Sequence, residues 1–192
     1  GGGIYISAGS ISGTGKITAN GGSTSGGSSW GGAGGGGGRI AVYYSDITGF
    51  NTANITAYGG TGWKNGGAGT VYLKDTVQVL EYLTFNNNNN AGSSATPLTV
   101  TGKTFESLKI KGKGSVELTD NLVVINELTI DSGTLLSDQK IQTGSIVISN
   151  GGLLTHRSTM TTTEYKLEIT TTTLSIDATS KIDVSGKGYL GG

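Results

Sequence analysis

The sequence predicts an all-β protein built as a parallel solenoid with glycine-rich side loops, and three observations carry that expectation. Apolar residues recur at period two, in short bursts bounded by Gly, Asn, Asp and Ser, where a helix would repeat them at three and four residues. From the middle onward the bursts share one shape, aliphatic, variable, aliphatic: Leu108-Lys109-Ile110, Leu128-Thr129-Ile130, Ile146-Val147-Ile148, Leu167-Glu168-Ile169 and Leu174-Ser175-Ile176. Several are followed, after a short turn, by a second burst: Val116-Glu117-Leu118, Leu135-Leu136, Leu153-Leu154 and Ile182-Asp183-Val184.

From Leu108 the first steps of this pattern are 20 and 18 residues. A period near that length, made of two short strands and polar turns, suits a coil that returns to stack on its predecessor. Adjacent coils would then lie ~4.8 Å apart with aliphatics stacked inward. An up-and-down sandwich shares the turn spacing but not the repeated strand–turn–strand unit. Residues 1–192 therefore read as a single repeat unit, with glycine-rich inserts at about 20–38 and 59–69 and regular coils over about 98–192.

The first third carries a different repeat. "GKITANGG" (Gly15 to Gly22), "ANITAYGG" (Ala53 to Gly60) and "SKIDVSGKG" (Ser180 to Gly188) share Ile, a polar residue, a small or branched apolar one, any residue, then Gly. The first two lead into glycine-rich inserts that end in strands, "GGGGGRIAVYY" and "GGAGTVYLKD". The third has its counterpart at the other end of the chain, where "GGGIYIS" opens the sequence. Residues 188–192 joined to residues 1–7 would complete a third unit, so the chain reads as a segment whose copies follow one another head to tail. The seam falls on Ile4, Tyr5 and Ile6 at one end and Ile182, Val184, Tyr189 and Leu190 at the other.

Seven of the eight residues from Gly31 to Gly38 are glycine. Glycine loses the most conformational entropy on folding, so an ordered run must be held by backbone partners. Embedded between matched strands, the inserts are expected to pack backbone on backbone, as in polyproline-II-like bundles, with Trp30, Tyr58, Trp63 and Tyr189 covering them. The same Trp30, Tyr58 and Trp63 could instead stack on sugar rings.

The run "FESLKIKGKGSVELTDNLVVINELTIDSGTLLSDQKIQTGSIVISNGGLLTH", Phe105 to His156, resembles coils of the right-handed parallel β-helices of filamentous-haemagglutinin-like and autotransporter-passenger surface proteins of bacteria. The "GGGGRIAVYY" segment is similar to glycine-rich repeats of very large bacterial secreted proteins. The resemblance implies a right-handed parallel β-helix in an extracellular, elongated, structural or adhesive protein.

Composition narrows the function classes. Thirteen basic and thirteen acidic side chains cancel, so the long-range field that favours nucleic acid or an anionic membrane is lacking. There is no cysteine, which removes disulfides, thiolate metal sites and cysteine nucleophiles. No apolar run reaches the ~18 residues of a membrane helix. Serine-hydrolase elbows, zinc-protease and nucleotide-loop motifs do not occur, and the glycine inserts carry no aspartate for calcium. Glu117, Glu168 and Asp183 sit between inward aliphatics and read as solvated, Asp120 and Asp131 as turn formers, and His156 as a surface residue. No catalytic residue, metal ligand or cofactor is expected. The sequence thus points to an extracellular structural repeat protein that associates with itself head to tail into a fibre, stalk or surface filament. An adhesin or glycan-binding module is the first alternative, and a polysaccharide-active enzyme the second.

Overall fold

The computed structural model describes residues 1–25, 31–160 and 162–188. The chain is all-β. Its strands are β1 (Gly3–Gly13), β2 (Ile17–Thr18), β3 (Arg39–Phe50), β4 (Ile55–Thr56), β5 (Thr70–Asp75), β6 (Leu80–Asn86), β7 (Thr96–Leu98) and β8 (Thr104–Lys111). They continue as β9 (Ser115–Leu118), β10 (Leu122–Asp131), β11 (Thr134–Ser137), β12 (Lys140–Ser149), β13 (Leu153–Thr155), β14 (Glu168–Ile176) and β15 (Lys181–Ile182).

Except at β5 and β6, long and short strands alternate along the chain, and the two kinds sort into separate sheets. The long ones form an eight-stranded sheet in the order β1-β3-β5-β6-β8-β10-β12-β14. Short strands form a five-stranded sheet, β15-β13-β11-β9-β7, and a pair, β2-β4. Register follows the aliphatic bursts. Leu83, Leu108, Leu128, Ile146 and Leu174 lie side by side on neighbouring strands, as do Phe85, Ile110, Ile130, Ile148 and Ile176. Val116, Leu135, Leu154 and Ile182 form the matching row of the five-stranded sheet. Burial of these rows between the two sheets makes the larger core, where Leu108, Leu128, Leu135 and Ile146 are completely enclosed.

Two expectations need correcting. The Leu167-Glu168-Ile169 burst is not a further coil: Ile169 pairs with Ile141, and the burst at Leu174 and Ile176 is the one that continues the rows. An excursion over residues 156–167 separates β13 from β14 and displaced the period. Parallel pairing also fails at one place, β5 against β6, which run antiparallel. The reversal is made by a tight turn in which the Asp75 carboxylate accepts the backbone N–H groups of Val77 (2.8 Å) and Gln78 (2.9 Å), while Val79 takes a left-handed φ of 59°.

That hairpin moves the core across the sheet. Directly opposed residues of an antiparallel pair share a face. Tyr72 opposes Leu83 and Leu73 opposes Tyr82. Leu83 belongs to the larger core, whereas Val71 and Leu73 belong with Ile4, Ile6, Ile40, Val42, Ile17 and Ile55 to a second core that β2 and β4 cover. The two cores therefore occupy opposite faces of one sheet, and strands β1, β3 and β5 run opposite to β6, β8, β10, β12 and β14.

Candidate functional site

Three features distinguish the surface: a bundle of glycine segments, two open ends, and rows of tyrosine. The glycine segments connect β2 to β3 and β4 to β5, and they replace the short turns used elsewhere. Segments 19–24, 32–38, 57–62 and 66–69 lie together in a hydrogen-bond lattice. Gly34 and Gly37 donate to Lys64 (2.8 Å) and Gly67 (3.0 Å) on one side, and Gly35 and Gly38 donate to Gly22 (2.9 Å) and Ala19 (2.7 Å) on another. Donors three residues apart thus point the same way, the periodicity of a polyproline-II helix.

Gly60 shows why only glycine fits. Its N–H donates to the Gly35 carbonyl at 2.8 Å and its carbonyl accepts from Gly66 at 2.9 Å. A β-carbon on Gly60 would stand 2.1 Å from the Gly22 oxygen. Adding a single carbon–carbon bond of ~1.5 Å puts that oxygen no farther than about 3.6 Å from the α-carbon, the range of a Cα–H···O contact. The same close approach holds at Gly21 toward Gly35, Gly34 toward Gly60, Gly38 toward Gly2 and Gly69 toward Gly38, each at 2.0 Å. None of these residues has a positive φ. Close approach, not backbone freedom, is the reason for glycine here.

Asn87 joins this bundle to the larger core. It is completely buried; its Oδ1 accepts from Gly59 N–H at 2.7 Å and its Nδ2 donates to the Gly66 carbonyl at 3.0 Å. The sequence hides this residue inside five consecutive asparagines, where composition marks only a loop. A signal exists in retrospect, since Asn87 is the first of the run to fall two residues beyond the inward Phe85.

Among the described residues, β1 pairs with β3 alone at one end of the eight-stranded sheet, and β14 with β12 alone at the other. Ile4 and Ile6 are partly buried on the side of the second core, and Tyr5 points the other way, 70% exposed. Ile182 packs against the larger core, while Leu174, Ile176 and Val184 are exposed. The two groups of seam residues therefore lie at opposite ends of the molecule. Tyr189 and Leu190 fall outside the described residues, as does Trp30.

The strands expected to be equivalent do stand together. "GGGIYIS", "GRIAVYY" and "GTVYLKD" supply β1, β3 and β5, with Ile4, Ile40 and Val71 in one row and Ile6, Val42 and Leu73 in the next. Their opposite face carries Tyr5, Tyr43 and Tyr72, whose ring centroids are 5.2 and 5.8 Å apart. Burial, then hydrogen bonding to Glu81, pushes the Tyr72 hydroxyl pKa upward. Glu81 itself is held below the usual carboxylate range: burial pushes it up, but the Lys74 ammonium at 2.9 Å and Tyr72 outweigh that. Tyr58 lines a groove of about 240 Å³ with Tyr82, Thr84 and Lys109, where β4 ends and the outer face of β6 and β8 begins. Trp63 is half exposed beneath the Lys64 ammonium, 5.1 Å from its ring centre.

His156 is a further correction: it is buried, with Nδ1 against the Arg157 carbonyl. Its burial follows from the excursion after β13, which the sequence pattern conceals. Arg157 binds the Glu117 carboxylate and that of Asp138 at 3.2 Å, tying the excursion to the five-stranded sheet. Asp131 accepts from Asn150 Nδ2 at 2.7 Å, linking the end of β10 to the turn after β12, in keeping with its place before Ser132-Gly133. Among the described residues no group of three or more His, Cys, Asp or Glu side chains could hold a metal ion. No protein-family model, curated protein or solved structure matches the chain.

Proposed function

We propose that this chain is a structural unit of an extracellular fibre, stalk or surface filament, a right-handed parallel β-helix in two offset parts whose open ends are continued by further copies. The observation that carries the reading is that the core is unfinished at both ends. Leu174 and Ile176, 48% and 42% exposed, belong to rows whose inner members are wholly buried. Ile4 and Ile6 stand in the same relation to Ile40 and Val42. An uncovered row beside a strand with free N–H and C=O groups invites strand addition, and repeat proteins that do not associate end in polar capping elements.

The glycine bundle suits a part under tension. Its segments are cross-linked chiefly by backbone groups, to which the side chains of Asn20, Ser23, Asn65 and Asn87 add further hydrogen bonds. The resemblance of Phe105 to His156 to surface β-helices supports an extracellular structural role. The reading assigns no catalysis to the chain. A second reading, glycan binding, is favoured by the Tyr5, Tyr43, Tyr72 row and by the groove at Tyr58 and Tyr82.

Sedimentation and electron microscopy of the purified chain test the first reading. Concentration-dependent elongated particles are expected, and Ile176→Lys, which places an ammonium on the open row, should abolish them while leaving the circular dichroism unchanged. A single compact species at all concentrations would count against it.

A further inference from the structure

The open end has a partner already written in the chain. Ile17-Thr18-Ala19 and Ile55-Thr56-Ala57 pair in register as β2 and β4, with Ala19 N–H donating to the Thr56 carbonyl at 2.8 Å. Ile182-Asp183-Val184 repeats their pattern, and in all three a glycine stands four residues after the isoleucine, at Gly21, Gly59 and Gly186. The third copy, however, is in a different sheet: β15 pairs only with β13, Ile182 beside Leu154, and its other side meets no strand among the described residues. β2 likewise has one bonded side, toward β4.

We propose that β15 of one copy adds in parallel to β2 of a second, Ile182 stacking on Ile17, while β14 adds in parallel to β1, and that the two copies are related by about half a turn around the filament axis. This rests on the assembly reading above and specifies its geometry. Extending the β2–β4 register one strand outward gives the row Ile182, Ile17, Ile55 and sets Asp183 opposite Thr18, a carboxylate beside a hydroxyl with no like charge facing it.

The half turn follows from the β5–β6 hairpin. β1 and β14 run in opposite directions, and their aliphatic rows lie on opposite faces of the sheet. Translation alone would bring the next β1 against β14 antiparallel, with Tyr5 and Ser7, instead of Ile4 and Ile6, on the face of Leu174 and Ile176. A half turn about the axis perpendicular to the strands inverts strand direction and face together. β14 and the next β1 then run parallel, and the exposed rows of both ends fall on one side. Each hairpin reverses the sheet and each junction leaves it unreversed, so the filament repeats after two units.

The chain contains no cysteine, so disulfide trapping has no background. Cysteines would be introduced singly into separate full-length chains, which are then mixed and oxidised. The same pairs would also be placed across the junction of two copies fused from Gly192 to Gly1, where proximity no longer depends on concentration. With Ile4 beside Leu174 and Ile6 beside Ile176, Tyr5 falls beside Ser175. Thr18→Cys with Asp183→Cys, and Tyr5→Cys with Ser175→Cys, should form inter-unit disulfides, read as a doubled mass on non-reducing gels for the mixed chains. Tyr5→Cys with Leu174→Cys should not, because the half turn puts these on opposite faces. Trapping of Tyr5 to Leu174 in place of Tyr5 to Ser175 overturns the half turn and leaves assembly standing. Failure of Thr18 to reach Asp183 in assembled material or in the fusion overturns the junction. If mixed chains also remain monomeric by sedimentation, the assembly reading falls separately.

Discussion

Tyr72 stands directly opposite Leu83 across β5 and β6, so a residue on the outer face of the first three long strands adjoins the first member of a row in the larger core. One hairpin thereby turns a single sheet into the floor of one core and the roof of another. Tyr72 itself packs against the larger core, and its ring ends the tyrosine row at that boundary. The stability of the hairpin couples the two halves of the chain.

Val79 is the strained point of that hairpin. A β-branched residue at φ 59° is disfavoured by contact between its β-carbon and the carbonyl, at roughly 1–2 kcal/mol. Its side chain is 67% exposed and contributes little packing. Val79→Gly should raise stability by roughly 0.5–1 kcal/mol, the relieved strain less the added chain entropy, measured as a higher urea midpoint with an unchanged slope.

Glycines in the bundle should divide by approach, not by position in the run. A β-carbon on Gly38 would stand 2.0 Å from the Gly2 oxygen and 2.9 Å from the Ala19 β-carbon, whereas on Gly36 it would meet nothing within 4 Å. Gly38→Ala must separate two backbone segments and should cost about 3 kcal/mol or more. Gly36→Ala should be neutral within about 1 kcal/mol. Chemical denaturation of the two variants checks the contrast, and equal losses would contradict it.

Removal of the Asn87 side chain leaves the Gly59 N–H and the Gly66 carbonyl without the amide that each now bonds. Each buried group left without a partner costs about 1–3 kcal/mol. Asn87→Ala should therefore destabilise the chain by roughly 2–6 kcal/mol, with amide exchange accelerated at Gly59 before it changes in β10 and β12.

Part of the acid sensitivity should come from Asp177, before β15, and Asp183, just after it. The Asn150 N–H, at 2.6 Å, and the Ser180 hydroxyl hold the Asp177 carboxyl well below the usual carboxylate range. Lys181 and the Ser185 N–H do the same for Asp183. Both native pKa values are depressed, so the stabilisation is present in full above the unfolded-state value near ~4 and is lost as pH falls through the native values. Asp177→Asn together with Asp183→Asn should flatten the fall in urea midpoint below about pH 4.

Replacement of an enclosed side chain sets the scale for these effects. Leu128 is completely buried, with Leu108 and Ile146 as its row neighbours. Leu128→Ala should cost about 2–5 kcal/mol, while Leu174→Ala, at the open end of the same row and half exposed, should cost less than half of that in the dispersed chain.

Much of the fold was legible because the rows are simple. Leu108, Leu128 and Ile146 announce their register through steps of 20 and 18 residues, and "GGGIYIS" matches β3 and β5 through the same alternation. Where the period breaks, the sequence misleads: the 156–167 excursion makes Leu167 look like a coil position and His156 like a surface residue. The hairpin at Asp75 was hidden because its left-handed residue is a valine, without the Asn-Gly or Gly signal that marks such turns. Close packing of the glycines could be inferred from the need to satisfy their backbone groups. The spacing of two residues beyond the inward Phe85 marks Asn87 as the inward asparagine, but its bridging role depends on where Gly59 and Gly66 lie, which the run of five does not show.

Hydrogen exchange on assembled material, compared with the dispersed chain, tests the account most directly. If copies join through their open strands, amides of β1, β2, β14 and β15 should become protected on assembly to the level of β10 and β12. Assembled material in which those four strands exchange as quickly as in the dispersed chain would contradict it.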